Sequence, residues 1–296
     1  MSARVLVSIA RGAAAALLFA GCLPGDTRPP PALIHFVVEP SAAVTGGVKT
    51  VDGWQITFEK LLVGLGGAGV DYGGLCNRYA NGGYERLFDF TVPGRQKLSD
   101  VYALGTCDLR FRLRSPGSDA LLGQGVTAQD LAFMRIEEKD AVIPLGRKSI
   151  HVRGQATREG VTKRFEWSFR IEFGLRDCPD ATGVGLASKV SLQGGDERTL
   201  PVRVLGEELF RERPKDESPL RFDAIADADA DGDQAITLEE LLLASGPEPE
   251  ADAGLTAGGD AGPPSIGHLL YFLHVPRMVR LGDSGACSAE DPTMRP

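Results

Sequence analysis

The chain has 296 residues, 43% of them apolar, 24% charged and 7% aromatic, the make-up of an ordinary globular protein. Lys and Arg number 32 against 40 Asp and Glu, a formal charge of −8, and the long apolar stretch is N-terminal. These figures exclude wholesale disorder, a basic nucleic-acid binder and a polytopic membrane protein, so no nucleic-acid partner is expected.

Residues 1–21 read as a signal peptide. Arg4 and Arg11 precede the apolar run Gly12–Gly21, which is too short to span about 30 Å of hydrocarbon and suits an export signal. The run ends Phe19-Ala20-Gly21-Cys22, and the Pro- and Gly-rich segment that follows forbids helix continuation. This junction resembles that of bacterial lipoproteins, in which small residues precede a Cys that is lipidated and becomes the mature N-terminus. Ala20 and Gly21 match that pattern, while Phe19 stands where the family usually has Leu. The resemblance implies a lipid anchor on Cys22 and a tether over 22–34; plain secretion after cleavage near Gly21 is the alternative. Leu23 lacks the Asp of inner-membrane retention, so the resemblance favours the outer membrane within the cell envelope.

Five cysteines are an odd number for an exported chain, and assigning Cys22 to lipid leaves Cys76, Cys107, Cys178 and Cys287 for two disulfides. Three pairings are open. The expectation is 76–107 and 178–287, because the first two cysteines flank neighbouring strand signals. No close pair of cysteines marks a zinc site.

The segment 35–210 reads as an antiparallel β-sandwich. Over 161–173, Phe165, Trp167, Phe169, Ile171 and Phe173 alternate with Glu166, Ser168, Arg170 and Glu172, the period of a half-buried strand. Cys107, Leu109, Phe111 and Leu113 alternate with polar neighbours, as do Trp54, Ile56 and Phe58. Shorter strand signals lie at 33–38, 149–156 and 199–204, with Gly-rich turns expected at 64–67 and 81–83. No helical pattern alternates with these strands, which disfavours a doubly wound parallel sheet. Arg110, Arg112 and Arg114 are expected on a solvated outer face, and Trp54 and Trp167 in the core.

Residues 215–260 hold 13 acidic and 2 basic residues, so the charge of the mature chain is concentrated there. Within them runs Asp227-Ala-Asp-Ala-Asp-Gly-Asp-Gln-Ala-Ile-Thr-Leu-Glu-Glu240, which resembles the calcium loop of the EF-hand family. A start at Asp227 puts Gln234 where the core aliphatic belongs and Leu238 where the bidentate carboxylate belongs. A start at Asp229 places Asp229, Asp231 and Asp233 at positions one, three and five, the Ala235 carbonyl at seven, Ile236 at eight, Thr237 with its water at nine and Glu240 at twelve. Calcium wants six to eight oxygens, and the resemblance implies that these residues supply them. Gln234 stands at the sharp turn usually held by Gly, where a positive φ costs a side chain about 1 kcal/mol.

The resemblance covers 218–246 of an EF-hand-like unit at 211–246, with Ser218 and Pro219 opening the entering helix and Leu238, Leu241 and Leu242 lining the exiting one. A flexible linker is expected at 247–264 and a helix and tail at 265–296, where Ile266, Leu269, Leu270, Phe272 and Leu273 have helical spacing and offer the loop a packing partner. No second acidic loop is present in the sequence.

Three further patterns fall short of a site. Gly282-Asp283-Ser284-Gly285 resembles the nucleophile motif of trypsin-like proteases, yet only 12 residues follow the serine. His35, His151, His268 and His274 lack metal-type spacing, and glycines 64–74 lack a phosphate loop's Lys-Ser/Thr ending. The expected function is therefore that of a calcium-binding exported lipoprotein, not an enzyme, in which Ca2+ is mainly structural and the β domain binds an unknown protein or polysaccharide. The alternatives are an adhesion-type carbohydrate- or protein-binding module without functional metal and an enzyme with an unrecognised site.

Overall fold

A computed structural model describes residues 29–71, 75–81, 83–247 and 263–290; the expected signal peptide, Cys22, most of the 247–264 linker and the extreme tail lie outside them. The described chain is mainly β. In order come β1 (Ala32–Pro40), α1 (Ala42–Gly46), β2 (Val48–Lys49), β3 (Gln55–Val70), β4 (Cys76–Asn81), β5 (Arg86–Asp89), β6 (Gln96–Leu113), β7 (Leu121–Leu122) and α2 (Ala128–Met134). There follow β8 (Ile150–Arg158), β9 (Val161–Phe169), β10 (Phe173–Arg176), β11 (Lys189–Leu192), β12 (Glu197–Val204), α3 (Asp223–Ala226), β13 (Ala235–Thr237), α4 (Leu238–Leu243), α5 (Ile266–Leu269), β14 (Val279–Leu281) and β15 (Ser288–Glu290).

Period-two sequence produces the strands as expected. Ala32, Ile34, Phe36 and Val38 of β1 face inward, as do Phe165, Trp167 and Phe169 of β9, while alternate residues point out. Trp54 and Trp167 are buried, and on the outer face Arg110 and Arg114 pair with Asp71 and Glu85, each at 2.7 Å. The β8–β9 hairpin turns on Glu159 and Gly160, both at positive φ, the geometry that matches strand twist.

The strands form one hydrogen-bonded path, β13-β9-β8-β3-β6-β1-β12-β14, with the others branching from it. The curl is made by β6. Its first half pairs with β1 and β4, its second with β3, β10 and β11, and Gly105, at φ +93°, marks the bend where an added Cβ would meet the Leu75 carbonyl oxygen at 1.8 Å. Where two separate antiparallel sheets are expected, the path is continuous and mixed: β1·β12 and β13·β9 on it are parallel, as is the branching pair β5·β7.

Two local expectations are corrected. Glycines 64–67 are not a turn but the middle of β3, where β6 approaches so closely that a Cβ on Gly64 would sit 2.1 Å from the Arg114 carbonyl oxygen. The strand expected over 161–173 breaks after Phe169, and Phe173–Arg176 crosses to pair with β6. Arg170, at that break, is drawn aside into ion pairs with Glu138 and Asp140.

The disulfides are Cys76–Cys107 and Cys178–Cys287, the pairing expected from the sequence. The first ties edge strand β4 to β6 and the second closes a 109-residue span. Among the described residues no helix is long and apolar enough to cross a membrane.

Candidate metal centre

The acidic segment is docked on the body through aromatic packing. Phe210 and Phe222 lie 5.8 Å apart between Phe165 (5.6 and 6.3 Å) and Trp54, whose ring is 5.2 Å from Phe222. Phe222 is fully buried, worth about 1.5–3 kcal/mol relative to exposure. The entering helix differs from expectation. Ser218 does not cap it: its Oγ accepts from the Arg213 N–H, within a run of bends and turns that the Arg211–Leu220 bridge closes. Helix α3 is a single turn whose first donors, the Phe222 and Asp223 N–H groups, both reach Asp52 Oδ2, at 2.7 and 2.8 Å. Burial would raise the Asp52 carboxyl, but bonds from Thr50 and from these two N–H groups outweigh it and hold the value below the ordinary range.

Beyond α3 the loop wraps around its own carboxylates. Asp229 accepts from the Gly232 and Gln234 N–H groups at 3.0 and 3.1 Å, Asp231 from Asp233 at 3.1 Å, and Asp233 from Ala235 at 2.7 Å. Gln234 adopts φ +68°, the left-handed turn assigned to it from its place in the loop. One oxygen from each of Asp229, Asp231 and Asp233 lies within 4.8 Å of the others. Glu240 is not in that group. Its Oε1 accepts from the Ala230 N–H at 3.0 Å and its Oε2 from Thr237, whose hydroxyl accepts in turn from the Glu240 N–H, a capping box that starts α4. Thr237 is thus the helix cap, and Ala235 begins β13.

A cation already faces the loop. Lys163, on β9, forms a short ion pair with Asp229 Oδ2, and this bond first, with the backbone donors after it, depresses the Asp229 carboxyl. At Glu240, burial acts upward but is outweighed by the Thr237 and Ala230 donors, so that carboxyl too is held low. Both groups are therefore ionised at neutral pH, as oxygen ligands must be.

The loop is stitched to the sheet at its centre. β13 runs parallel to β9 with Ile236 opposite Phe165, Ile236 is buried, and the Trp167 indole N–H donates to its carbonyl at 2.9 Å. On the far side Leu238 and Leu241 of α4 are buried, Leu242 packs on Gly267, and the Ala244 carbonyl accepts from the Ile266 N–H at 3.0 Å. Leu243 is exposed.

The donor set suits a hard cation: three converging carboxylates, a fourth bonded to the same loop at Ala230, and no sulfur or imidazole. Asp52, Lys163 and the Trp167 contact had no sequence signal, since each reaches the segment across at least 60 residues of chain. The glycine-flanked Ser284 bonds only locally, to the Gly285 carbonyl. No family model matches the chain, and no curated protein or solved structure matches it either.

Proposed function

We propose that the chain is an exported calcium-binding protein whose ion is structural, held by Asp229, Asp231, Asp233, the Ala235 carbonyl and Glu240, with water at Thr237. The observation that carries this reading is the convergence of the three aspartates on a loop that already turns at Gln234. On this reading the unit is an EF-hand-like loop in which the body strand β9 takes the place of a second loop. β13 lies on β9, and α4 and α5 grip the exit, so binding would fasten an already folded loop rather than open a groove. Glu240 would exchange its bond to Thr237 for the ion.

Two disulfides belong with an oxidising compartment and support the export reading. Anchoring through a lipid on Cys22 at the cell envelope is part of the same proposal, with the curled sheet acting as a sandwich-like body for a protein or polysaccharide partner. Trp54 and Trp167 are both buried, so neither offers a flat platform to a sugar.

The test is thermal melting in 10 mM calcium and in chelator. With an affinity of about 10⁻⁴–10⁻³ M, that concentration stabilises the folded state by about 1.4–2.7 kcal/mol. For a domain of this size the midpoint rises by about 3–10 °C. Superimposable curves would rule the reading out.

A further inference from the structure

A cavity of about 370 Å3, at the small end of the range for ligand pockets, opens between the 3-10 turn at 206–210, α3, the exit of α4 and the C-terminal helix. Phe210, Ile225, Ile266, Leu269 and Leu270 give it apolar walls. Its charged rim is already satisfied. Arg211 donates to Glu208 and to the Ser218 carbonyl, Arg221 pairs with Glu212, and Asp223 accepts from Trp54.

The remaining feature of the lining is His274. Its side chain is 4% exposed, and its Nδ1 lies 2.8 Å from the Glu208 carbonyl oxygen. A carbonyl only accepts, so the proton is on Nδ1 and Nε2 carries a lone pair, for which the described residues supply no hydrogen-bond partner. Burial lowers the ring's pKa and outweighs the Glu208 carbonyl bond and the Glu208 carboxylate, which act upward; the Arg277 and Arg211 charges act with burial. Nε2 is not among the fully buried unpaired atoms, so water in the cavity reaches it, and a ligand hydroxyl would take that water's place while burying its apolar body.

The geometry points to a binding site for a small apolar molecule bearing one hydroxyl donor, an aromatic or aliphatic alcohol, with its hydroxyl on His274 Nε2 and its hydrocarbon against Phe210, Ile225 and Leu269. A carboxylate anion offers no donor to the lone pair of a neutral imidazole, whereas a hydroxyl does. The site is independent of the metal reading.

The test uses the full chain in chelator, titrated with 2-naphthol and, separately, with 2-methoxynaphthalene, which has the same body and no donor. 2-Naphthol saturates one site, and the methyl ether binds about five-fold or more weakly. Ala224 lines the mouth of the cavity and is exposed, so Ala224→Trp leaves the fold intact and abolishes naphthol binding. His274→Phe, checked for an unchanged circular dichroism spectrum, erases the difference between the two probes; should it unfold, the probe contrast in the wild type and the Ala224→Trp result decide alone. No saturable binding, equal affinity for the two probes in the wild type, or naphthol binding untouched by Ala224→Trp would each overturn the assignment.

Discussion

The indole N–H of Trp167 donates to the backbone carbonyl of Ile236, 69 residues further along the chain, and so joins the strongest strand of the body to the centre of the acidic loop. Trp167 also stacks on Phe165 with centroids 4.8 Å apart, so one side chain serves both the core and the loop. Trp167→Phe is expected to lower stability by about 1–3 kcal/mol, through the lost bond and the space left behind, read from the urea midpoint. In the wild type, indole fluorescence should respond to calcium.

Lys163 pairs with the same Asp229 carboxylate that the proposed ion would use. Replacing it by Met removes a positive charge beside the proposed ion and leaves the stem's packing. Lys163→Met should tighten calcium binding, by about three- to ten-fold at low salt and somewhat less at high salt, where charges are screened. An unchanged or weaker affinity would show that the ammonium does not oppose the ion.

Gln234 holds φ +68° in a turn that favours glycine. Gln234→Gly should raise the melting temperature of the metal-free protein by an amount corresponding to at most about 1 kcal/mol, since relief of the strained φ is offset by greater freedom of the unfolded chain. Calcium affinity should rise with it. A destabilised variant would place the turn's preference in the Gln side chain instead.

Two histidines give opposite pH dependences. His35 sits between Asp100 at 2.8 Å and Glu197 at 3.0 Å, and these bonds, Asp100's first, raise its pKa. Its contribution is full below the unfolded value of about 6.5 and is lost as pH rises through the higher folded value. His151 is depressed to about 4 by burial first and then by Arg153 and Lys148. Its contribution is present above about 6.5 and is lost as pH falls toward 4. Proton NMR titration of the two rings should place them on opposite sides of the free value, and His35→Asn should flatten only the acidic gain in the urea midpoint.

The strands were legible where one face is wet. β1, residues 107–113 of β6 and residues 165–169 of β9 alternate in burial, and the tryptophans and arginines fall on the sides that this period assigns. The middle of β3 was not legible. Leu61–Gly66 is covered on both faces, so alternation vanishes, and its glycines serve the approach of β6 rather than a turn. Parallel pairing of β1 with β12 and of β9 with β13 joins residues far apart in sequence, which no local pattern encodes. In the acidic loop the spacing of Asp229, Asp231 and Asp233 and the turn at Gln234 were readable, because the loop bonds to itself. The short α3, its cap at Asp52 and the counter-charge at Lys163 were not, because each depends on the body folding up against it.

Isothermal titration of calcium into the full chain and into Glu240→Gln tests the central claim most directly, since Gln retains an acceptor for the Thr237 cap while removing the fourth carboxylate. The account predicts one site in the wild type, with a dissociation constant of about 10⁻⁴–10⁻³ M, and at least ten-fold weaker binding in the variant. Absence of calcium heat from the wild type at 10 mM, or equal affinity in the two proteins, would contradict it.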